Sequence, residues 1–542
     1  MIVGGSSVSK SEESALAKAI SESRALGKKR IALINPPSSF LTDDRVFFAS
    51  GLLYIAGVAL EAGHEVEMHD LSGYKDYQVR AQNIGQQQYD LYGLTATSPQ
   101  FSYAVNILQS IKAVNPHARV VVGGPHATMF ADLRKKRLLQ SGGIESKVYE
   151  SDVNFRSLEL FDQIIEGEES GILEALKDLG EKNPRKLVYA GVFDGSLDEL
   201  PFLPRHLIDM GSYLFKDDGN PKFDIDGGPA TSVISQRGCP FSCNFCSGRN
   251  VEQYRFIKNP RTGNIRAYSP ERIVAELNHV NAQFPEVTGF MFYDDELNLH
   301  RDTTLALMNA LARNNRERRK KDEKPYSFRG FVKSELFVRH PEVAPAMRQA
   351  GFSRLLSGFE SGSDRILKDY VKKHTTTRCN LEAAERAFEH GIRMKALMMV
   401  GQPTETIEDI RMTEGFLTRF IKLAQGYQVE PEFDLTILTP YPGSQVYDDA
   451  KKNTGRHSDE FQRVLGDGEL YLREIDFAKE SAPYKTAPGE SEVHIRTETL
   501  SSGDLLALRQ EIDDNLRAGH NLGRNDRRDP TKSIEHSMGQ TG

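Results

Sequence analysis

Cysteine is scarce: there are four in 542 residues, and Cys239, Cys243 and Cys246 fall within one short stretch. A secreted disulfide framework spreads its cysteines along the chain, so this distribution excludes one and reads as a set of metal ligands whose thiols must stay reduced. Cys379 stands alone at the start of a helical pattern and reads as a buried or incidental thiol. No stretch approaches the roughly 20 apolar residues that span a bilayer, which excludes a membrane-embedded chain. The N-terminus lacks an apolar core followed by a small-residue cleavage site, and its acidic residues do not suit a transit peptide, so a cytoplasmic protein is expected. Positive charge is not in excess either. With 69 Lys and Arg against 76 Asp and Glu, the net charge of -7 gives no electrostatic drive toward nucleic acid. The basic runs Arg134–Arg137 and Arg316–Lys321 read as solvated helix ends.

What is present is an αβ alternation, in a chain long enough for roughly three units. After a leader over 1–27, where Ala15, Leu16 and Ile20 suggest an amphipathic helix, residues 28–187 alternate short apolar runs with segments of helical spacing. This predicts a doubly wound, Rossmann-like parallel sheet that binds ligands at the carboxyl ends of its strands. Those ends carry Asn35-Pro36-Pro37, His69-Asp70, Thr95-Ala96-Thr97-Ser98 and Gly123-Gly124-Pro125-His126. Residues 188–228, rich in Pro, Gly and Asp, read as a linker. A second αβ series over 229–450 has six strand-helix steps, which suits a partial (β/α)6 barrel with its chemistry at the carboxyl-terminal mouth. A small C-terminal region over 451–518 and a disordered tail over 519–542 complete the expected α/β organisation.

Cys239-Pro-Phe-Ser-Cys243-Asn-Phe-Cys246 directly follows the first strand of the second series. A loop at a strand end lets three sulfurs converge on one polynuclear centre and leaves one iron of a 4Fe-4S cluster without a protein ligand. Ferredoxin clusters use four cysteines, and structural zinc takes four ligands from Cys and His. No second cysteine pair exists, so zinc here would need a remote histidine such as His64, His69 or His126 of the front unit.

The spacing CxxxCxxC, with Phe245 before the last cysteine, resembles that of the radical S-adenosylmethionine (SAM) superfamily. The resemblance implies that the open iron chelates SAM, that one-electron reduction cleaves the sulfonium, and that a 5'-deoxyadenosyl radical abstracts hydrogen. Further positions resemble the family's SAM-binding elements. Tyr293 and Asp294 stand after the second strand, where the family meets the methionine amino group, and Lys333 ends the third strand, where a basic residue meets the SAM carboxylate. Glu360 and Ser361 match the fourth-strand motif, Val400 and Gly401 the glycine-rich turn after the fifth, and Leu438 the end of the sixth. Helix capping is the alternative reading of Ser361–Asp364 and Thr404-Glu405, and a solvated side chain that of Lys333.

The front unit resembles the cobalamin-binding (B12-binding) domain that precedes the barrel in cobalamin-dependent radical SAM enzymes. The resemblance implies corrin contacts from Pro36, Asp70, Leu71, Ser72, Thr95, Thr97, Ser98, Gly123, Gly124, Pro125, His126, Gly167 and Glu168. Glycines permit close backbone approach, and small hydroxyl side chains can meet the macrocycle's amide arms. No GxGxxG follows the first strand, which leaves a dinucleotide site little support. In a DxHxxG motif a histidine lies beneath cobalt, but His69-Asp70-Leu71-Ser72-Gly73 puts Ser72 at that place, so no protein histidine ligand to cobalt is expected. His69 is the one possible exception.

Two cofactors held against one substrate imply a class B radical SAM methyltransferase, which acts on a substrate carbon of a small-molecule or natural-product intermediate and is served by an electron donor such as flavodoxin or ferredoxin. The alternatives are a cyclase or rearrangement enzyme with the same cofactors, and a non-catalytic cobalamin sensor. A methylthiotransferase has less support, because the front unit lacks cysteines for a second cluster.

Overall fold

The computed structural model describes residues 14–38, 43–130, 153–191, 196–247, 265–447, 497 and 499–522. The run Arg134–Arg137, the region 451–496 and the tail from 523 onward lie outside the described residues.

Two sheets organise the chain. In the first, β1 (Arg30–Asn35), β2 (Glu65–Asp70), β3 (Leu91–Thr95), β4 (Val120–Gly123), β5 (Gln163–Gly167) and β6 (Leu187–Gly191) run parallel in the order β2-β1-β3-β4-β5-β6. β1 and β4 are continuous apolar runs because helices such as Ser50–Glu61 and Phe101–Val114 cover both faces of the sheet. The strand order reverses between β1 and β3, where an open αβ sheet leaves its crevice. The leader forms the helix Ala15–Ala25, capped by Ser14, and buries Leu16, Ala19 and Ile20 on this unit.

In the second sheet, β8 (Gly228–Val233), β11 (Gly289–Phe292), β12 (Ser327–Phe331), β13 (Phe352–Glu360), β14 (Arg393–Val400) and β15 (Glu432–Ile437) are parallel, and the short β7 (Asp224–Ile225) pairs antiparallel at the β8 edge. This is the expected open barrel. Its other edge, β15, is covered by the helix Ser502–Gly519, whose buried Arg509 donates from Nε to the Leu435 carbonyl at 2.9 Å. An open sheet edge needs such cover.

The segment expected as a linker is built into the structure. Its first residues form β6, and Arg205, 1% exposed, pairs with Glu276 at 2.6 Å and lies over the Phe48 ring. Prolines and glycines there fall between packed pieces of the connecting segment.

Candidate functional site

The carboxyl ends of both sheets approach each other. Phe47 of the front unit packs edge-to-face on Tyr293, which follows β11, with centroids 5.2 Å apart. A Cβ on Gly443 would lie 2.5 Å from Met129 Sδ, so the loop after β15 touches the segment after β4. Tyr213, from the helix Met210–Leu214, donates to Asp70 Oδ2 at 2.6 Å and ties the end of β2 to the connecting segment.

On the barrel side the three cysteines share one loop beyond β8 and the short β9 (Gln236–Arg237). The Cys246 N–H donates to the Cys243 carbonyl at 3.1 Å, and the loop is braced by the Asn244 N–H on the Val371 carbonyl at 3.3 Å. Cys246 is exposed, whereas burial pushes the Cys239 thiol up to about 12 and the Cys243 thiol up to about 11. Among the described residues no set of Cys, His, Asp and Glu side chains closes on a single-ion geometry. The front-unit histidines are already bonded: His64 to Ser23 at 2.8 Å, His69 to Tyr89 at 3.0 Å and His126 to Ser98 at 3.0 Å.

Two ammonium groups lie beneath this loop. Lys333, 1% exposed and so not the solvated side chain of the alternative reading, donates to the Lys373 carbonyl at 2.9 Å, pairs with Glu335 at 2.6 Å and sits 4.0 Å from the Phe241 ring. Lys373 pairs with Glu360 at 2.7 Å. Burial works against its charge, but Glu360, Glu296 and Cys243 hold the ammonium above the usual lysine range. Glu360, Lys372 and His374 all have positive φ, at 63°, 56° and 59°. Strained non-glycine residues persist where surrounding contacts over-determine them, and they gather at functional sites.

Several family-motif positions are engaged by the chain itself. The Asp294 carboxylate accepts from the Ser235 N–H at 2.7 Å, the Ser235 hydroxyl and the Gln236 N–H at 3.1 Å, which ties β11 to the base of the cysteine loop. Burial pushes its pKa up to about 7. Glu405 accepts from the N–H groups of Gly401 and Gln402 at 2.6 and 3.1 Å and so shapes the turn after β14, while the helix Ile407–Gly426 is capped by Thr406 and Asp409. The Leu438 N–H donates to the Val400 carbonyl at 2.8 Å, bringing two expected SAM-binding positions together. Ser361 is buried beside Glu360, and Phe245 packs half-buried on the core.

Other buried polar groups at the mouth have no hydrogen-bond partner among the described residues: both amide atoms of Gln402 and Oε2 of Glu296. Such groups cost free energy unless a ligand or water meets them. The polar mouth beside three thiols therefore suits an iron-sulfur cluster with the amino-acid end of SAM.

On the front side the ledge is made of backbone and small side chains. Thr97 is exposed, Thr95, Ser98, Gly123 and Gly124 are half-exposed, and Pro125 is exposed. Gly124 has φ 91°, and a Cβ there would lie 2.7 Å from Thr95 Oγ1 and 2.9 Å from the Ala96 nitrogen, so only glycine allows this turn. His126 stacks on Phe101 at 4.1 Å, and burial pushes its pKa down to about 3. Its Nε2 is unpartnered among the described residues. Ser72 donates to Asp70 at 2.6 Å and lies 3.2 Å from the Tyr213 hydroxyl, beside buried Leu71. The Pro36 carbonyl accepts from Gln100 at 2.9 Å. His69 is bonded to Tyr89 at 3.0 Å and lies 4.0 Å from Glu67. A wide ledge of glycine, hydroxyl and backbone groups suits a large, amide-bearing cofactor. Glu168, by contrast, turns its carboxylate to Arg266 and Arg237.

Tyr213, Lys373, Arg237 and Arg266 were not singled out by sequence reasoning, whereas Glu296 and Gln402 fall inside the motifs after the second and fifth strands. The first four gain their meaning from a distant partner, and no local spacing marks them.

Comparison with known proteins agrees with this geometry. Residues 233–417 match the model of the radical SAM superfamily, and residues 45–147 match that of the B12 binding domain. An uncharacterized methyltransferase of Pyrococcus horikoshii is 28% identical over 410 residues, covering 74% of this chain and 78% of the relative. An anaerobic magnesium-protoporphyrin IX monomethyl ester cyclase of Rubrivivax gelatinosus is 23% identical over 406 residues, covering 73% of this chain and 64% of the relative. The fold resembles that of the radical SAM methyltransferase TsrM from Kitasatospora setae, solved with cobalamin and a 4Fe-4S cluster, at a TM-score of 0.52, 16% identity and 79% coverage of each chain. The chain thus carries a radical SAM domain with a B12-binding domain ahead of it.

Proposed function

We propose that this chain is a cobalamin-dependent radical SAM methyltransferase that methylates a carbon of a small molecule. The observation that carries the reading is the juxtaposition of two carboxyl-terminal strand edges, one presenting the three-cysteine loop and the other the glycine and hydroxyl ledge, with Phe47 against Tyr293 between them. When bound, the cluster would supply the electron that cleaves SAM, and cobalamin would carry the methyl group. Cys239, Cys243 and Cys246 would hold the cluster, and Lys333 and Lys373 would supply positive charge beside it. The turn Val400-Gly401 with Leu438, together with Glu360 and Ser361, would orient SAM. Asp70, Leu71, Ser72, Thr95, Thr97, Ser98, Gly123, Gly124, Pro125 and His126 would line the cobalamin side, with no histidine beneath cobalt. Placement of both cofactors against one substrate turns encounters between short-lived species into an intramolecular step. Methyltransferase names among the relatives, including a hopanoid C-2 methylase of Rhodopseudomonas palustris, support methyl transfer.

An external one-electron donor such as flavodoxin or ferredoxin completes the scheme. The test is anaerobic reconstitution with methyl-labelled SAM, cobalamin and reductant, screened against candidate substrates. Label in the product supports the reading. SAM cleavage that transforms a substrate without label transfer would favour the cyclase-like alternative, which the Rubrivivax relative represents. The variant Cys243→Ala should lose the cluster's absorption band and SAM cleavage together.

A further inference from the structure

β9 pairs antiparallel with β10 (Arg266–Ala267), and Arg237 stands directly opposite Arg266. The segment between these two short strands carries Cys239, Cys243 and Cys246, so the arginine pair closes the base of the cysteine loop. Like charges directly opposite each other destabilise a ladder, and a two-stranded ribbon is marginal even without that penalty. Here the repulsion is severe, because the Arg237 and Arg266 side chains are only 13% and 9% exposed.

Two counter-charges come from the turn after β5 of the front unit. Glu169 pairs with Arg237 at 2.5 Å. Glu168 receives both terminal nitrogens of Arg266, one at 2.8 Å, and lies 3.7 Å from Arg237. Both glutamates lie just past the end of β5, in a turn entered through Gly167 at φ 121°, where the side-to-side alternation of a strand no longer applies and two neighbouring carboxylates can reach one arginine pair. The Tyr54 ring, 4.9 Å from the Arg237 guanidinium, covers the cluster of charges, and both Tyr54 and Tyr268 are buried.

We propose that Glu168 and Glu169 are positioning residues of the cluster site: they neutralise the arginine pair at the base of the cysteine loop, so that docking of the B12-binding domain templates the loop that holds the cluster. The inference rests on the reading that Cys239, Cys243 and Cys246 hold that cluster. It gives the two carboxylates a task on the barrel rather than on cobalamin, and it couples the geometry of one cofactor site to the presence of the other domain.

The test uses the full chain, reconstituted anaerobically, with iron and sulfide per chain, the electron paramagnetic resonance signal of the reduced cluster with and without SAM, and cobalamin retention measured separately. The variant Glu168→Gln with Glu169→Gln should retain cobalamin like the wild type but load roughly tenfold less cluster, because two buried cations lose their partners. Adding Arg237→Gln and Arg266→Gln should restore most of the cluster, since removal of a whole buried ion group is far better tolerated than removal of one side. The single variant Glu169→Gln, which leaves Glu168 on both arginines, should fall between. Cluster loading at wild-type level in the double variant overturns the inference. So does loss of cobalamin in step with the cluster, or a folded quadruple variant that stays iron-poor. If the wild type itself loads no 4Fe-4S cluster, the functional reading fails instead.

Discussion

Lys373→Met should cost the barrel mouth about 3–5 kcal/mol, because it leaves the Glu360 carboxylate buried with its cation gone. The Lys373 and Glu360 side chains are 7% and 11% exposed and meet at 2.7 Å. At an effective dielectric constant of about 20, that separation corresponds to roughly 6 kcal/mol of gross attraction. Desolvation offsets much of it when the pair forms, so the pair's net worth is small, but removal of one partner keeps the desolvation and discards the attraction. Methionine preserves length and apolar stem, which isolates the charge. The positive φ angles at Glu360, Lys372 and His374 make the site more sensitive, since this pair spans the turn that holds them. The chain has no tryptophan, so urea unfolding is followed by far-ultraviolet circular dichroism. With a urea slope of about 3 kcal/mol per molar, the barrel transition should move down by about 1 M or more. Lys373→Met combined with Glu360→Gln should recover most of the loss. A loss below about 1 kcal/mol, or a double variant no more stable than the single one, refutes the argument that the buried pair holds this turn.

Gly362→Ala should destabilise by about 1–3 kcal/mol, because the added Cβ would lie 2.5 Å from the Met412 carbonyl oxygen and against the Thr413 backbone, which cannot move aside; an unchanged thermal midpoint contradicts this. His126 folds neutral, its pKa pushed down to about 3 by burial, whereas the unfolded chain's histidine takes up a proton near about 6.5. The native state then binds fewer protons, so stability present above that pH is lost as pH falls, by about 2 kcal/mol between pH 6.5 and 5. His126→Phe, able to pack on Phe101, should remove that share of the acid loss in urea midpoints measured at pH 7.5 and 5; an equal loss in both proteins argues against it. Tyr213→Phe deletes the 2.6 Å hydrogen bond to the Asp70 carboxylate, worth about 1.5–3 kcal/mol, and should lower both the thermal midpoint and cobalamin retention. If neither changes, Tyr213 does not organise the end of β2.

The local part of this protein was legible in one dimension. Continuous apolar runs separated by helical spacing announced both parallel sheets, because a strand buried on two faces has no polar side to show. The cysteine spacing announced the loop, because its three thiols lie close along the chain and need no long-range contact to be brought together. The absence of GxGxxG set the front unit apart from dinucleotide domains, and Ser72 stands where a DxHxxG motif has its histidine.

Tertiary structure decided what those residues touch. Prolines and glycines over 188–228 read as a linker, and folding decides what it touches: Arg205 and Tyr213 within it meet partners 71 and 143 residues away. Glu168 lay in a stretch that resembled a cobalamin-binding segment, and in the turn after β5 its carboxylate and that of Glu169 meet arginines that are 98 and 68 residues distant. Lys333 could be read as solvated until burial on the second sheet gave it Glu335 and the Lys373 carbonyl. Sequence by itself determined the elements and the spacing of the three cysteines, since periodicity and spacing are properties of neighbours along the chain. Which charges are neutralised, and by which domain, was decided only by folding, since electrostatic pairing in a desolvated interior depends on distance in space and leaves no periodic trace in the chain.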